Sequence, residues 1–234
     1  MSLLPWKEAE IIEMETISSH LKRIQLRFPE GHLNFKPGQF ITIDLPIHER
    51  PNKRWRSYSI AECSETAGTC DLMIERVLDG PATTYLFEHI SIGETLNCRG
   101  PQGNFVLDEH IDQPIMMIAD GIGIVPFRSM LHALKKSKNK IPPITLLYFT
   151  GSLNTVLYET ALAAWENEIP GFSYILHKEN IDSEVVHSII ERSINEEPGT
   201  KFYLCGWRAA VDLTRQVLTT LEIPKKDIHI ELFG

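Results

Sequence analysis

The sequence predicts two structural halves in series: an antiparallel β-barrel or sandwich, then an α/β unit built as a doubly wound parallel sheet. Three observations carry this. In the first hundred residues, "HLKRIQLRF" (20–28), "QFITIDL" (39–45) and "TCDLMIERV" (69–77) alternate apolar and polar side chains, the mark of strands with one buried face. From Pro114 onward the rhythm changes to short continuous apolar runs, each followed by an amphipathic helical stretch. Between the two lies the polar segment "LDEHIDQ" (107–113), which places the domain boundary at 108/109, giving domains 1–108 and 109–234.

In the first half, turn chemistry separates the strands at Pro29-Glu30-Gly31, Pro37-Gly38 and Ala67-Gly68, and "RWRSYSIA" (54–61) reads as a further strand. Helical character is confined to about 82–90, so short-range antiparallel pairing is expected. In the second half "PIMMIA" (114–119) precedes "FRSMLHALKKS", and "ITLLYF" (144–149) precedes a helix near 156–167. "FSYIL" (172–176) then leads into "SEVVHSIIERSI", and "KFYLC" (201–205) into "RAAVDLTRQVLTTL". Buried strands alternating with helices are βαβ units.

Composition narrows the function classes. A net charge of −8 offers no basic surplus for nucleic-acid phosphates, although Arg50, Lys53, Arg54 and Arg56 form a local basic cluster. The start "MSLLPWKEAE" is too short and too soon acidic for a signal peptide, and no uncharged run reaches the ~20 residues of a membrane span. Cys63, Cys70, Cys98 and Cys205 lack both C-x-x-C pairing and the clustered spacing of an iron–sulfur loop. They read as free thiols in a reducing cytoplasm, with no built-in iron–sulfur cluster and neither nucleic acid nor membrane as partner.

Two short segments bear on chemistry. "ADGIGIVP" (119–126) lies between a buried strand and a helix, where N–H groups and the helix dipole favour an anion. Gly121 and Gly123 would let the backbone approach a pyrophosphate, and Pro126 suits a first helical turn. Pro126 also stands where a third glycine would complete G-x-G-x-x-G, so a plain tight turn is an equal reading. In "RWRSYSIA", Arg56 offers a forked donor for phosphate, Tyr58 a ring for stacking and Ser59 a hydroxyl for a ring heteroatom. An edge strand with a solvated arginine fits the same residues.

Taken together and in order, the motifs resemble those of the ferredoxin–NADP reductase superfamily. Arg56-x-Tyr58-Ser59 resembles its flavin-binding R-x-Y-S strand, "PGQF" (37–40) a barrel strand, and "GPATTYLFEH" (80–89) the G-x-x-[ST] segment opening a short helix. "GPQGNFVL" (100–107) resembles the close of the flavin domain, and "ADGIGIVPFRSM" (119–130) the nicotinamide-nucleotide loop. "YLCGW" (203–207) matches the C-G element, and "HIELFG" (229–234) the E-x-aromatic ending. The resemblance spans nearly the whole chain.

It implies a flavin-binding antiparallel β-barrel followed by an NAD(P)-binding α/β domain, without an iron–sulfur domain. Arg56 would bind flavin phosphate, Tyr58 and Ser59 would line the isoalloxazine, and Gly80, Thr83 and Thr84 would form the pyrophosphate turn at the head of a helix. Gly121, Ile122, Gly123, Pro126, Cys205 and Gly206 would receive the nicotinamide dinucleotide. Ser59, Cys205 and Glu231 match positions around the hydride-transfer point, and Phe233 would stack on the flavin. The two sets of phosphate contacts favour FAD over FMN.

Three residues depart from the family pattern. Asp120 replaces a glycine of the loop; facing a pyrophosphate at roughly 4–6 Å it would cost about 3–4 kcal/mol, a cost that vanishes if it faces solvent or caps the helix. Trp207 replaces the proline after C-G. Leu153, in "GSL", stands where NADPH-using relatives often carry arginine, so NADH is expected over NADPH unless Lys178 or Arg192 supplies the missing cation.

The functional expectation is an FAD-dependent NAD(P)H oxidoreductase delivering electrons to a separate acceptor such as a ferredoxin, an oxygenase component or a small oxidant, with the basic 50–56 cluster as a docking patch. Two alternatives are an FAD-binding module whose nicotinamide site has decayed at Asp120, and a free-flavin reductase.

Overall fold

The computed structural model describes residues 4–29, 33–64, 68–108, 110–137, 139–151, 153 and 155–233. Glu30, Gly31 and Ala67 of two expected turns, Glu109 of the boundary stretch, Ser152 of "GSL" and the terminal Gly234 lie outside these residues. The chain divides into two compact units, 1–106 and 107–234.

The first unit is a closed barrel. Strands β1 (Lys7–Ser18), β2 (Leu21–Arg27), β3 (Phe40–Asp44), β4 (Trp55–Ser64), β5 (Thr69–Glu75) and β6 (Thr95–Gln102) close in the order β1-β2-β5-β4-β3-β6, each neighbouring pair antiparallel. Alternation sends Ile24, Leu26, Ile41, Ile43, Ile60, Leu72 and Ile74 into a fully buried interior, and closure removes the exposed edges that a sandwich would leave. Helix α1 (Pro81–Glu88) adds Ala82 and Leu86 to this core.

Strands β1 and β6 were not among the expected elements. In β1, Ala9 and Ile11 are buried while Glu8, Glu13 and Glu15 point outward, so acidic residues of helix-compatible type hide a regular alternation. The acids are used across strands: Arg27 pairs with Glu10 at 2.6 Å, and Arg23 bridges Glu13 and Asp71 at 2.9 Å each. Exposed pairs of this kind contribute little individually, but they specify register.

The second unit is a five-stranded parallel sheet, ordered β11-β10-β7-β8-β9. Its strands are β7 (Ile115–Asp120), β8 (Ile144–Phe149), β9 (Phe172–His177), β10 (Lys201–Trp207) and β11 (Ile228–Phe233); its helices are α2 (Ile124–Lys136), α3 (Glu159–Glu168), α4 (Ser183–Glu196) and α5 (Arg208–Thr220). All of β7 is buried, as a central parallel strand requires. Met116 and Ile118 share a core with Val186 and Ile190 of α4 and Val211 of α5, while Met117 and Ala119 turn to the opposite face. The chain runs outward from β7 through β8 and β9, then returns to β10 on the other side. The strand order therefore reverses between β7 and β10, the place where open α/β sheets bind ligands. Among the described residues no helix is long and apolar enough to cross a membrane.

Candidate functional site

Two groups of residues stand out, one in each unit. In the barrel, β4 pairs with β3 so that Arg56 lies opposite Ile43, Tyr58 opposite Ile41 and Ser59 opposite Phe40. Arg56 and Tyr58 thus share one face of the strand, and Ser57 and Ser59 the other. Tyr58 packs against the barrel core, and burial pushes its phenol far up, with Arg56 pulling weakly the other way. One nitrogen of Arg56, Nη1, donates to the carbonyls of Lys53 (3.0 Å) and Trp55 (2.8 Å), which fixes the guanidinium beside the strand start. On the opposite face, Thr42 Oγ1 lies 3.1 Å from Ser57 Oγ and accepts from Gln102 Nε2 at 2.7 Å, tying β4, β3 and β6 together. The basic cluster is smaller than its sequence suggests: Arg54 is forked onto Asp44 at 2.7 and 2.6 Å, so its charge is neutralised.

At the head of α1, Gly80 occupies the N-cap position with extended backbone, and no side chain caps the helix. Pro81 has no N–H to lose, leaving the amides of the first turn as donors at the positive end of the helix dipole. A Cβ on Gly80 would stand 2.9 Å from Val77 Cβ and 3.0 Å from Thr83 Oγ1, which the packing there excludes. Thr83 is buried and its hydroxyl turns inward, accepting from Val77 N (3.1 Å) with the Val77 and Gly80 carbonyls within 3.2 and 3.1 Å. Its hydroxyl therefore shapes the turn, and the donors presented outward are backbone groups. Thr84, half-buried, donates its N–H to the Gly80 carbonyl.

In the α/β unit, β7 runs into a single 3₁₀ turn, Gly121–Gly123, that leads directly into α2. Gly121 adopts a left-handed backbone with φ of 56°, open to glycine without strain. Gly123 is helical, and its missing side chain serves packing: a Cβ there would lie 2.1 Å from the Cys205 carbonyl oxygen. Ile122 and Pro126 are buried in the same segment. Cys205 pairs in register with Glu231 on β11 and with Ala119 on β7, and Trp207 pairs with Phe233, so these candidate residues line adjacent strand ends. Burial, reinforced by Glu231 and Asp120, holds the Cys205 thiol well above its ordinary range, so it is a neutral S–H at physiological pH.

Asp120 neither faces solvent nor caps the turn, contrary to the two orientations expected to make it harmless. It is 9% exposed, makes no side-chain capping bond, and accepts a hydrogen bond from the Trp207 backbone N–H. Its Cβ sits over Gly206, where a side chain would approach to 2.8 Å. Leu153 is also turned inward, 5% exposed, with its N–H bonded to the Thr150 carbonyl at 3.0 Å.

Residues 8–107 match the family model described as the oxidoreductase FAD-binding domain, and residues 117–216 the one described as the oxidoreductase NAD-binding domain. The chain belongs to the ferredoxin–NADP reductase superfamily.

Curated relatives in this superfamily include the ferredoxin reductase component of 3-ketosteroid-9-alpha-monooxygenase from Mycobacterium tuberculosis, 28% identical over 88% of this chain and 56% of that protein. Another is the phenol hydroxylase P5 protein of Acinetobacter pittii, 29% identical over 97% of this chain and 65% of that protein. The chain thus spans about half to two-thirds of the length of the curated relatives it matches. Among solved structures, the Amycolatopsis cytochrome P450 reductase superposes with a TM-score of 0.80 at 22% identity, over 98% of this chain and 71% of that one. That likeness is one of fold.

The barrel unit of this superfamily member fits a flavin: an uncapped helix head offers backbone donors to a pyrophosphate, and β4 presents a guanidinium and an aromatic ring on one face. Two contributors escaped the sequence. Lys22 reaches the far end of α1 from β2, and the Trp207 amide secures Asp120. A lysine in an alternating strand reads as solvated, and a backbone donor leaves no trace in a sequence.

Proposed function

We propose that this chain is an FAD-dependent NAD(P)H oxidoreductase module that prefers NADH and passes electrons to a separate acceptor, a ferredoxin or an oxygenase component. The observation that carries the reading is the coexistence of two anion-ready strand–turn–helix ends, the uncapped head of α1 in an FAD-binding unit and the 121–123 turn at the switch point of an NAD-binding unit. Several of the relatives are named as reductase or electron-transfer components of oxygenase systems, which supports the acceptor class.

In this reading bound FAD would supply the hydride-accepting and electron-releasing chemistry, and the chain's residues hold and orient the two cofactors. Arg56 and the first-turn amides of α1 would hold the diphosphate, and Tyr58 and Ser59 would line the isoalloxazine. The 121–126 turn and Gly206 receive the dinucleotide backbone. Cys205, kept as a neutral thiol, and Glu231 beside it would border the transferring carbon without adding a thiolate charge, and Phe233 would be the ring that stacks on the flavin. The inward-turned Leu153 leaves that position without a cation for a 2′-phosphate, which supports NADH as the preferred donor.

Anaerobic titration of the FAD-loaded protein with NADH and then NADPH tests the reading through the flavin's visible absorbance. Bleaching by NADH at lower concentrations than by NADPH is expected. Tightly held FAD that neither nucleotide bleaches would leave a flavin module without reductase activity.

A further inference from the structure

Asp120 is the acidic residue most deeply placed at the ligand edge of the α/β sheet. It ends β7, directly before the turn whose amides open toward α2. The groups around it come from four elements. From β10, Cys205 contributes a neutral thiol and Gly206 an empty side-chain position that Asp120 fills. From β11, Glu231 stands beside Cys205, its register partner; from β8, the register partner of Asp120, Phe149, is apolar. At the head of α5, Trp207 donates its N–H, while Arg208 is exposed. No lysine, arginine or histidine among the described residues pairs with the Asp120 carboxylate.

The carboxylate is thus packed over a glycine, poorly solvated and served by one neutral donor when a second negative charge arrives. Two like charges in a poorly solvated edge repel strongly, and the side chain's remaining route is to become neutral. A protonated carboxyl keeps its carbonyl oxygen for the Trp207 amide, so neutralisation leaves the tether intact. Burial already moves the group in that direction, to about 6, with the Trp207 amide pulling the other way.

We propose that Asp120 is a proton-linked binding residue: it takes one proton from solvent as the pyrophosphate of a nicotinamide dinucleotide settles on the 121–126 turn, so that dinucleotide affinity falls as pH rises. This rests on the proposed assignment of that turn to the dinucleotide. Above about pH 6.5 the free protein is ionised at this position, and each unit of pH then weakens binding by a factor approaching about tenfold until the bound form also ionises. The effect belongs to the pyrophosphate, so NAD⁺ and ADP-ribose, which carry no phosphate monoester, share one pH slope. It also ties two departures of this sequence together, because a proline at 207 would have no N–H to hold the carboxylate.

The test is calorimetric titration of the full FAD-loaded chain with NAD⁺ and with ADP-ribose at about pH 6, 7 and 8, in buffers of different ionisation enthalpy. Uptake approaching one proton per dinucleotide near pH 7.5 is expected, about the same for both ligands, with affinity falling steeply with pH. Asp120→Asn, which keeps an acceptor for the Trp207 amide, is expected to bind without uptake and with a flat pH dependence. If that variant does not fold, the proton count in the natural protein decides by itself. Absence of uptake, or equal uptake in Asp120→Asn, overturns the proposal. If NADH bleaches the flavin yet no proton is taken up, this proposal alone falls. If no dinucleotide binds and none bleaches the flavin, the reductase reading falls and the proposal with it.

Discussion

Lys22, on β2, donates from Nζ to the carbonyls of Phe87 at 2.7 Å and Leu86 at 3.1 Å, the last turn of α1. The ammonium is buried, lies 4.9 Å from the centre of the Phe87 ring, and has its pKa lowered by burial and by nearby Arg76. It satisfies carbonyls that a helix end leaves without partners and places a positive charge at the negative pole of the helix. Lys22→Met removes the donor while keeping the apolar stem. A loss of about 1–3 kcal/mol in urea unfolding is expected, with weakened FAD retention if, as proposed, the opposite end of α1 holds the pyrophosphate. Unchanged stability would show that Lys22 is incidental to α1.

Gly123→Ala drives a methyl group into the Cys205 carbonyl, at an unrelaxed distance of 2.1 Å. No rotamer relieves a Cβ clash with backbone, so the turn must shift away from β10. Reduction by NADH is expected to fall by more than about tenfold while FAD stays bound, since the proposed phosphate contacts of the flavin lie in the barrel unit. Stopped-flow reduction together with the flavin-to-protein ratio checks both parts.

Asp120 also predicts a pH-dependent stability. Its folded carboxyl, raised to about 6, lies above the ~3.9 of an unfolded aspartate, so the native state binds the proton more tightly. The favourable contribution is present below about pH 4 and is lost as pH rises through about 6; beyond that the buried carboxylate costs about 1–3 kcal/mol. Asp120→Asn should therefore raise the unfolding midpoint at pH 8 and change it much less at pH 4. Equal shifts at both pH values would contradict the burial argument.

The buried Cys205 thiol stays protonated in the native protein. Alkylating reagents at about pH 8 are expected to spare Cys205 and to modify the partly exposed Cys63 first, as peptide mass mapping would show. The pH profile of flavin reduction should carry no limb from thiol ionisation at or below pH 9, about where an unburied cysteine titrates. A rate that rises with thiolate formation in that range would assign Cys205 a different role.

The α/β half was legible because its strands are continuous apolar runs, and "PIMMIA" predicts a buried central strand that the structure places at Ile115–Asp120. The barrel half was legible only where alternation is clean, as in β2, β3 and β5. β1 was hidden by its glutamates, and closure of the barrel depends on its pairing with both β2 and β6. At the site, the motifs identified which residues to inspect but not where they point. Thr83 reads as a phosphate ligand, yet its hydroxyl is spent on Val77 and Gly80. Asp120 reads as a liability, and its orientation is decided by Gly206 and Trp207, on a neighbouring strand far away in sequence. Such placements come from tertiary packing, which no local pattern encodes.

The most direct test of the central claim is anaerobic stopped-flow mixing of the FAD-loaded protein with NADH carrying deuterium at the transferring C4 position. Rapid loss of the flavin's visible band, slowed by the deuterium, would show hydride passing from NADH to the bound flavin. A flavin that remains oxidised while firmly held would contradict the account and leave the chain a flavin carrier.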